Sequence, residues 1–515
     1  MAGTGEILWG KKEFFDVART GKLAWLAARF NDFDISPSSV LKVLENTQPI
    51  CLLESAGGSP QLTEYSYLGL DPLLVFEFKN AKYQINYAEG RKNDQIDQSS
   101  DNPFELLRSL IQGLVTTVPP AEPPIPFWGG AMGFLSYDAG RYIEHIPIIA
   151  RDDLFLPELY FIFPGTLIVF NHISRELYLI VSQFVDADIE KSYEEAYKKM
   201  VFVQSQLERM QRMDLSSKLN EVFPVDLKED DTPLACSVSR PEFERMVERI
   251  QEYIRAGDVY QVNVSQRLEV PYTKDPFVLY KKLKEVNPSP FAAYLNCGNF
   301  QLVSSSPERL IMLRDGAAFT RPIAGTRRRG EDFNEDSELA AELILDEKER
   351  AEHIMLVDLE RNDLGRVCRF GTVVVDELMV LEKYSHVIHI VSGVKGELRG
   401  EKDQFDLMQA MFPGGTITGC PKVRCMEIIE ELEPVRRGPY TGSIGYFGFN
   451  GNMDMNIIIR TFIVKDNMAY VQVGAGVVID SKPDREYFET LSKADALLIA
   501  AGCPKEVRKW EKLPM

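Results

Sequence analysis

ERAEHIMLVDLERND, residues 349–363, is the stretch on which the reading of this chain turns. Its first four residues set Glu349 and Glu352 three positions apart, and on a helix that spacing puts both carboxylates on one face. The same spacing returns far downstream in DREYFETLSK (484–493), with Glu486 and Glu489. Taken singly, an ExxE pair is ordinary solvated helix surface. Two pairs brought together without a cation would repel, and some of the acids would have to protonate. Around Mg²⁺ the same four become reasonable, since hard oxygen ligands suit that ion. Spacing alone does not bring 349–352 to 486–489.

Outward from these segments the pattern is mixed. A helix is predicted over roughly 335–352, another over 241–257 ending at Gly257, and others over 420–433 and 483–502; the last two open with proline, and 483–502 closes on Gly502. Between them lie strand-like runs: YQVNVSQRLEV (260–270), FAAYLNC (291–297), FQLVSSS (300–306) and VVVDELMVL (373–381). GSIGYFGF (442–449) and MNIIIRTFIVK (455–465) are predicted to form a hairpin around Asn450-Gly451. The first 200 residues alternate short β-rich runs with polar turns, then a helical period over 189–213. VPPAEPPIPF (118–127) reads as extended loop. DLSSKLNEVFPVDLKEDDTP (214–233) is polar and marks the domain boundary. The fold class is α+β with mostly antiparallel strands.

A chain of 515 residues suffices for several hydrophobic cores, and 45% hydrophobic with 26% charged residues is ordinary for a soluble protein. The net charge of −19 argues against nucleic acid or an anionic membrane as partner. The seven cysteines form no CxxC pair, which points to reduced thiols rather than disulfides or zinc. With no signal-peptide pattern and no apolar run of about 18 residues, the expected location is the cytoplasm.

FPGGTITGCPK (412–422) imitates a phosphate loop, but Cys420 follows Gly419 where nucleotide binding calls for Lys-Ser/Thr. VGAGVVIDS (473–481) is a second glycine turn, open to close approach by an anion. Arg460 interrupts the apolar run MNIIIRTF, so it is either half of a structural ion pair or a carboxylate receptor. Gln261 and Asn263 sit in a β run, and His389 lies in SHVIHIVS, where a satisfied core histidine is the commoner reading.

SSSPERL (304–310), RPIAGTRRRG (321–330), AEHIMLVDLERNDLGRV (351–367), FPGGTITGCPKVRCMEIIEELEP (412–434), GSIGYFGFNGNMDMNIIIRT (442–461) and GAGVVIDS (474–481) closely resemble blocks of the chorismate-binding enzymes. That family holds anthranilate and aminodeoxychorismate synthase components I, isochorismate synthases and salicylate synthases. LLES (52–55) and GGAMGFLSYDAGRYIE (129–144) extend the likeness to the N-terminal part of the aminating members. The resemblance implies two mostly antiparallel β-sheets packed as a sandwich, with helices outside. It divides the chain into an N-terminal region (1–213), a linker (214–237) and a chorismate-binding domain (238–505).

It further implies that Glu349, Glu352, Glu486 and Glu489 face one Mg²⁺ bound to the ring carboxylate of chorismate. Arg460, Tyr446 and the turn Gly474-Ala475-Gly476 fall where the family holds the enolpyruvyl carboxylate, and Gly325, Thr416 and Lys493 match further substrate positions. Glu308 fits the general acid, and Thr326 and His389 are catalytic positions near the ring. Gln261 stands where water-adding members carry a basic lysine, so ammonia is the expected nucleophile. Ala324 replaces the lysine of typical aminodeoxychorismate synthases and leaves room for attack at C2, giving anthranilate after pyruvate loss. YQVN (260–263), NPSPFAAYL (287–295) and GSIGY (442–446) instead look like aminodeoxychorismate synthases, which keeps 4-amino-4-deoxychorismate as the alternative product. Ser55 and the segment Asn287-Pro288-Ser289 match a tryptophan pocket, although Phe291 and Ala292 replace its tyrosine and methionine. No cysteine has the setting of an amidotransferase nucleophile, so a separate glutaminase subunit is expected to supply the ammonia.

Overall fold

A computed structural model of the chain describes residues 5–44, 49–58, 63–88, 94–99, 102–115, 124–212, 234–330, 332–383 and 387–503. Two long strands, Tyr65–Lys79 and Leu159–Asn171, organise it. They run antiparallel side by side and bend together where Pro72 faces Pro164, with a bulge before Leu74. Proline donates no ladder hydrogen bond and a bulge sharpens the bend, so the pair changes direction there.

The bend divides a continuous ladder in two. On one side the order runs through Ile50–Glu54, Phe291–Asn296, Gln301–Ser306, Thr461–Lys465 and Met468–Val477 to Gln261–Pro271. On the other it runs through Gly130–Leu135, Ser443–Gly448, Met453–Ile457, Arg309–Arg314 and Ala317–Thr320 to Val387–Glu397. All these pairings are antiparallel, and the α+β class holds. Leu295, Val303 and Phe462 of the first ladder share one apolar cluster with Ile311, Phe447 and Met455 of the second. Each such side chain contributes about 1.5–3 kcal/mol by leaving water. In both ladders the strands from before residue 213 stand together at one end and those from after 238 continue the ladder, joined where Ile50–Glu54 pairs with Phe291–Asn296 and Gly130–Leu135 with Ser443–Gly448. The expected linker 214–237 falls outside the described residues except for 234–237, and most of the proline-rich stretch 118–127 lies outside them too.

Most expected elements are present, including Arg240–Ala256 closed by Gly257 at φ 83° and Pro483–Ala501 closed by Gly502. Two expectations need correction. The helix predicted near 335–352 is two helices, Phe333–Leu345 and Glu347–Gly365. Asp346 separates them, its side chain accepting from the N–H groups of Lys348 and Glu349 as an N-cap does. The second strand of the predicted hairpin breaks after Ile457 and resumes at Thr461. Its two pieces belong to different ladders, and Arg460, at φ 52°, sits at the crossing.

Candidate active site

The capped helix Glu347–Gly365 carries Glu349 and Glu352 in its first turns, and Pro483–Ala501 carries Glu486 and Glu489 in its own. Burial pushes the Glu352 carboxyl up, the Gln261 amide opposes this, and the charges of Glu349 and of Glu489 push it further. Glu486 is likewise raised by burial and by Glu489, while Ser481, Lys493 and Lys348 on the other helix oppose the rise. Acids some 135 residues apart in sequence therefore act on one another across a single cleft. Gln261 Nε2 donates to Glu352 Oε1 at 2.7 Å, which fixes the strand Gln261–Pro271 as the cleft's third wall.

Among the described residues no three His, Cys, Asp or Glu side chains form a ready cage for a metal. Glu349 accepts from Arg327 at 3.2 Å, and Glu489 pairs with Lys493 at 2.8 Å. The donors are all carboxylate oxygens, and the upward shifts of Glu352 and Glu486 mark negative charge that a dication would relieve. This set fits a hard ion that keeps much of its water, as Mg²⁺ does, rather than one held by protein alone.

The other end of the cleft is cationic. Arg460 has no carboxylate partner among the described residues; its guanidinium donates to the Lys493 carbonyl, and burial lowers its pKa. Lys493 Nζ donates to Gly474 O at 2.9 Å. The glycine turn expected here is strand instead, because Gly474-Ala475-Gly476 continue the ladder of Met468–Val477 with Gln261–Pro271, and side chains at the two glycines would crowd the cleft. A Cβ on Gly474 would lie 2.6 Å from Asn263 Oδ1 and 2.9 Å from Tyr440 Oη, and one on Gly476 would lie 2.5 Å from Gln261 Nε2. Ala475 sits between them, opposite Val264. The tyrosine at this end is Tyr440, whose phenol and Arg460 influence each other's titration. Tyr446 does not join it. It stacks on Phe127 at 4.3 Å and faces a different cavity, because strand alternation in Ser443–Gly448 turns it toward Tyr67. GPYTGSIGY (438–446) holds both tyrosines, and nothing in the spacing says which one the fold aims at Arg460.

Glu308 is 6% exposed, in the turn between Gln301–Ser306 and Arg309–Arg314. Burial pushes its carboxyl up to about 7, and the Thr416 hydroxyl and the Ile323 N–H offset only part of that. Ala324 is buried opposite Ile390, and Thr326 lies opposite His389. Between them Gly325 bulges at φ 67°, a backbone setting that favours glycine, and a Cβ there would come within 3.0 Å of Glu349 Oε2. His389 Nδ1 lies 3.0 Å from Thr326 Oγ1 and 3.3 Å from Gly325 O. Burial lowers its pKa and the Arg460 charge adds to this, so the imidazole is neutral at physiological pH. Arg327, Lys348 and Tyr440 escaped sequence reasoning: each is an unremarkable polar residue until the chain is folded.

A second cavity, of about 110 Å³, contains none of these acids. Ser55, Pro290, Phe291, Ala292 and Tyr446 are among its walls. Ser55 Oγ donates to Tyr65 O at 2.9 Å. Asn287, Pro288 and Ser289 do not line it. They brace its rim, with Ser289 O accepting from Ala56 N–H at 3.0 Å and Pro288 packed against Gly57. No helix among the described residues is long and apolar enough to cross a membrane.

Comparison with known proteins gives a consistent picture. The family model for chorismate binding enzymes matches residues 65–499. Anthranilate synthase component 1 of Acetivibrio thermocellus is 42% identical over 475 residues, covering 92% of this chain and 94% of that protein. Aminodeoxychorismate synthase component 1 of Bacillus subtilis is 44% identical over 473 residues, covering 91% and 95%. The crystal structure of anthranilate synthase component I from Streptococcus pneumoniae superposes with a TM-score of 0.70 at 34% identity, covering 84% of this chain and 92% of that one.

Proposed function

The chain belongs to the chorismate-binding enzyme family and is a chorismate-utilising enzyme; from that premise we propose that it aminates chorismate at C2 and then eliminates pyruvate, making anthranilate for tryptophan synthesis in the cytoplasm. The observation that carries this reading is the polarity of the cleft: mutually repelling acids from two helices at one end, and at the other a buried arginine that forms no salt bridge among the described residues and feels only the more distant charge of Glu489. Chorismate is a dianion whose two carboxylates need two different receptors. Arg460, Lys493 and the backbone of Gly474-Ala475-Gly476 receive the enolpyruvyl carboxylate, with Tyr440 beside them. Glu349, Glu352, Glu486 and Glu489 would hold Mg²⁺ against the ring carboxylate. An ion held by these acids would supply charge neutralisation of that carboxylate and Lewis-acid polarisation of the ring.

Glu308, protonated because it is buried, gives its proton to the C4 hydroxyl, which leaves as water. Gln261 cannot act as a base, so the nucleophile must already carry its lone pair, as ammonia does. The neutral His389, with Nδ1 turned to Gly325 and Thr326, is placed to take the C2 proton as the C3–O bond breaks and pyruvate departs. Ala324 leaves C2 open to ammonia, and Thr416 and Gly325 border the ring. Relatives are named component 1, and a separate glutaminase subunit is proposed as the ammonia source here. The Ser55–Tyr446 cavity, with Asn287, Pro288 and Ser289 at its rim, is proposed as the tryptophan pocket.

One observation favours a second reading: identity to the Bacillus subtilis aminodeoxychorismate synthase component is as high as to any anthranilate synthase compared above. Incubation with chorismate, Mg²⁺ and ammonium separates the two. Anthranilate fluorescence is expected; aminodeoxychorismate, convertible to p-aminobenzoate by an added lyase, would overturn the C2 assignment.

A further inference from the structure

TRRRG (326–330) sets three arginines in a row, and each meets acids of the neighbouring helices. Arg329 Nε donates to Asp336 Oδ1 at 2.6 Å and Arg328 donates to Glu335, both acids lying in the first turn of helix Phe333–Leu345. Arg327 reaches further, and each of its three guanidinium nitrogens takes a different carboxylate. Nε donates to Glu342 Oε1 at 3.1 Å, Nη2 to Asp346 Oδ2 at 3.1 Å and Nη1 to Glu349 Oε1 at 3.2 Å. One side chain thus joins the end of the first helix, the cap between the helices and the first acid of the second.

These contacts hold the acid and its helix together. Asp346 Oδ1 accepts from the N–H groups of Lys348 and Glu349, so with Oδ2 on Arg327 the cap itself is tied to strand Ile323–Arg328. Glu349 divides its oxygens in the same way. Oε1 faces Arg327, while Oε2 lies beside Gly325, 3.0 Å from where a Cβ on that glycine would be. The carbonyl of that same glycine lies 3.3 Å from His389 Nδ1. Gln261 on Glu352 and Lys493 on Glu489 repeat the arrangement, each holding Oε1 of its acid. The Arg327 and Glu349 side chains are 23% and 25% exposed, where a single ion pair contributes little. A planar fork shared by three carboxylates fixes direction as well as charge.

We propose that Arg327 is a positioning residue for the divalent ion: by gripping Oε1 of Glu349 and the cap of its helix, it presents Oε2 to the ion beside Gly325. The inference rests on the reading of Glu349 as one of the ion's acids. A guanidinium suits the task because its nitrogens diverge at fixed angles, which the ammonium of lysine does not reproduce. Charge alone argues the other way, since a cation so close to the site repels a dication. The sign of the effect therefore separates grip from charge.

The test uses the full chain and Mn²⁺, which takes the same hard oxygen ligands as Mg²⁺, with the bound fraction read from the electron paramagnetic resonance signal of the free ion. Arg327→Gln and Arg327→Lys should each weaken Mn²⁺ binding by about tenfold or more. The Mg²⁺ concentration for half-maximal turnover should rise in step, and kcat should return to the wild-type value once Mg²⁺ saturates. A purely structural role would not give that rescue. Both variants should fold, because the pairs are partly exposed and the cap keeps its own hydrogen bonds. Unchanged or tighter Mn²⁺ binding in Arg327→Gln would overturn the proposal, as would wild-type affinity in Arg327→Lys, a kcat that saturating Mg²⁺ does not restore, or loss of the melting transition in both variants. Unchanged Mn²⁺ binding in Glu349→Gln would instead overturn the reading of Glu349.

Discussion

Replacing Glu308 by glutamine should inactivate the enzyme and stabilise it, and pH should set the size of the gain. Burial moves this carboxyl from its ordinary 4.5 to about 7. Between those values the unfolded chain has lost the proton while the folded chain keeps it, so wild-type stability falls as pH rises across the window and levels off above it. At about 1.4 kcal/mol per pH unit, the penalty is about 1.4 kcal/mol at pH 5.5 and about 3 kcal/mol at pH 8. Glutamine is nearly isosteric and never ionises. The stability difference between variant and wild type should therefore widen by about 2 kcal/mol from pH 5.5 to pH 8. Urea unfolding followed by far-UV circular dichroism at both pH values measures it, provided the m values agree. A difference that stays constant would mean that Glu308 is ionised in the folded chain, and its service as an acid would fall with it. Anthranilate formation by the variant should drop by about 10²–10⁴-fold.

Other outcomes follow from the same geometry. Glu486→Gln should raise the Mg²⁺ concentration for half-maximal activity by about tenfold and lower turnover; an unchanged metal titration would remove Glu486 from the site. Ala324→Lys should divert product toward C4 amination or stop turnover, and an unaffected anthranilate yield would show that this position does not set regiochemistry. Arg437, 3% exposed, donates to Glu433, Ile417 O and Asn263 O. Arg437→Met leaves Glu433 buried without its cation and should cost about 3–5 kcal/mol in urea unfolding; a loss below 1 kcal/mol would show that water replaces the arginine.

Much of the site was legible because chemistry leaves local traces. ExxE on a helix and an arginine within an apolar run each announce themselves in a few residues, whereas the glycines of 474–476 read as a turn and lie in a strand. Arg460, expected inside a single strand, marks the point where the chain leaves one ladder for the other. Tyr446 was the wrong tyrosine of two, since which of them meets Arg460 depends on strand alternation against neighbours far away in sequence. Asp346 shows the same limit: it caps a helix inside what periodicity joined as one.

By itself the sequence determined the residue types available for catalysis, the α+β alternation, the glycines that permit close approach and the family likeness, because short-range spacing and composition encode all of these. Only the tertiary structure decided that two acidic helices share a cleft, that two long strands carry both ladders, and that Tyr440 rather than Tyr446 meets Arg460. Those facts arise from pairings between segments distant in the sequence, whose energies depend on burial and distance, and no local window of sequence contains either.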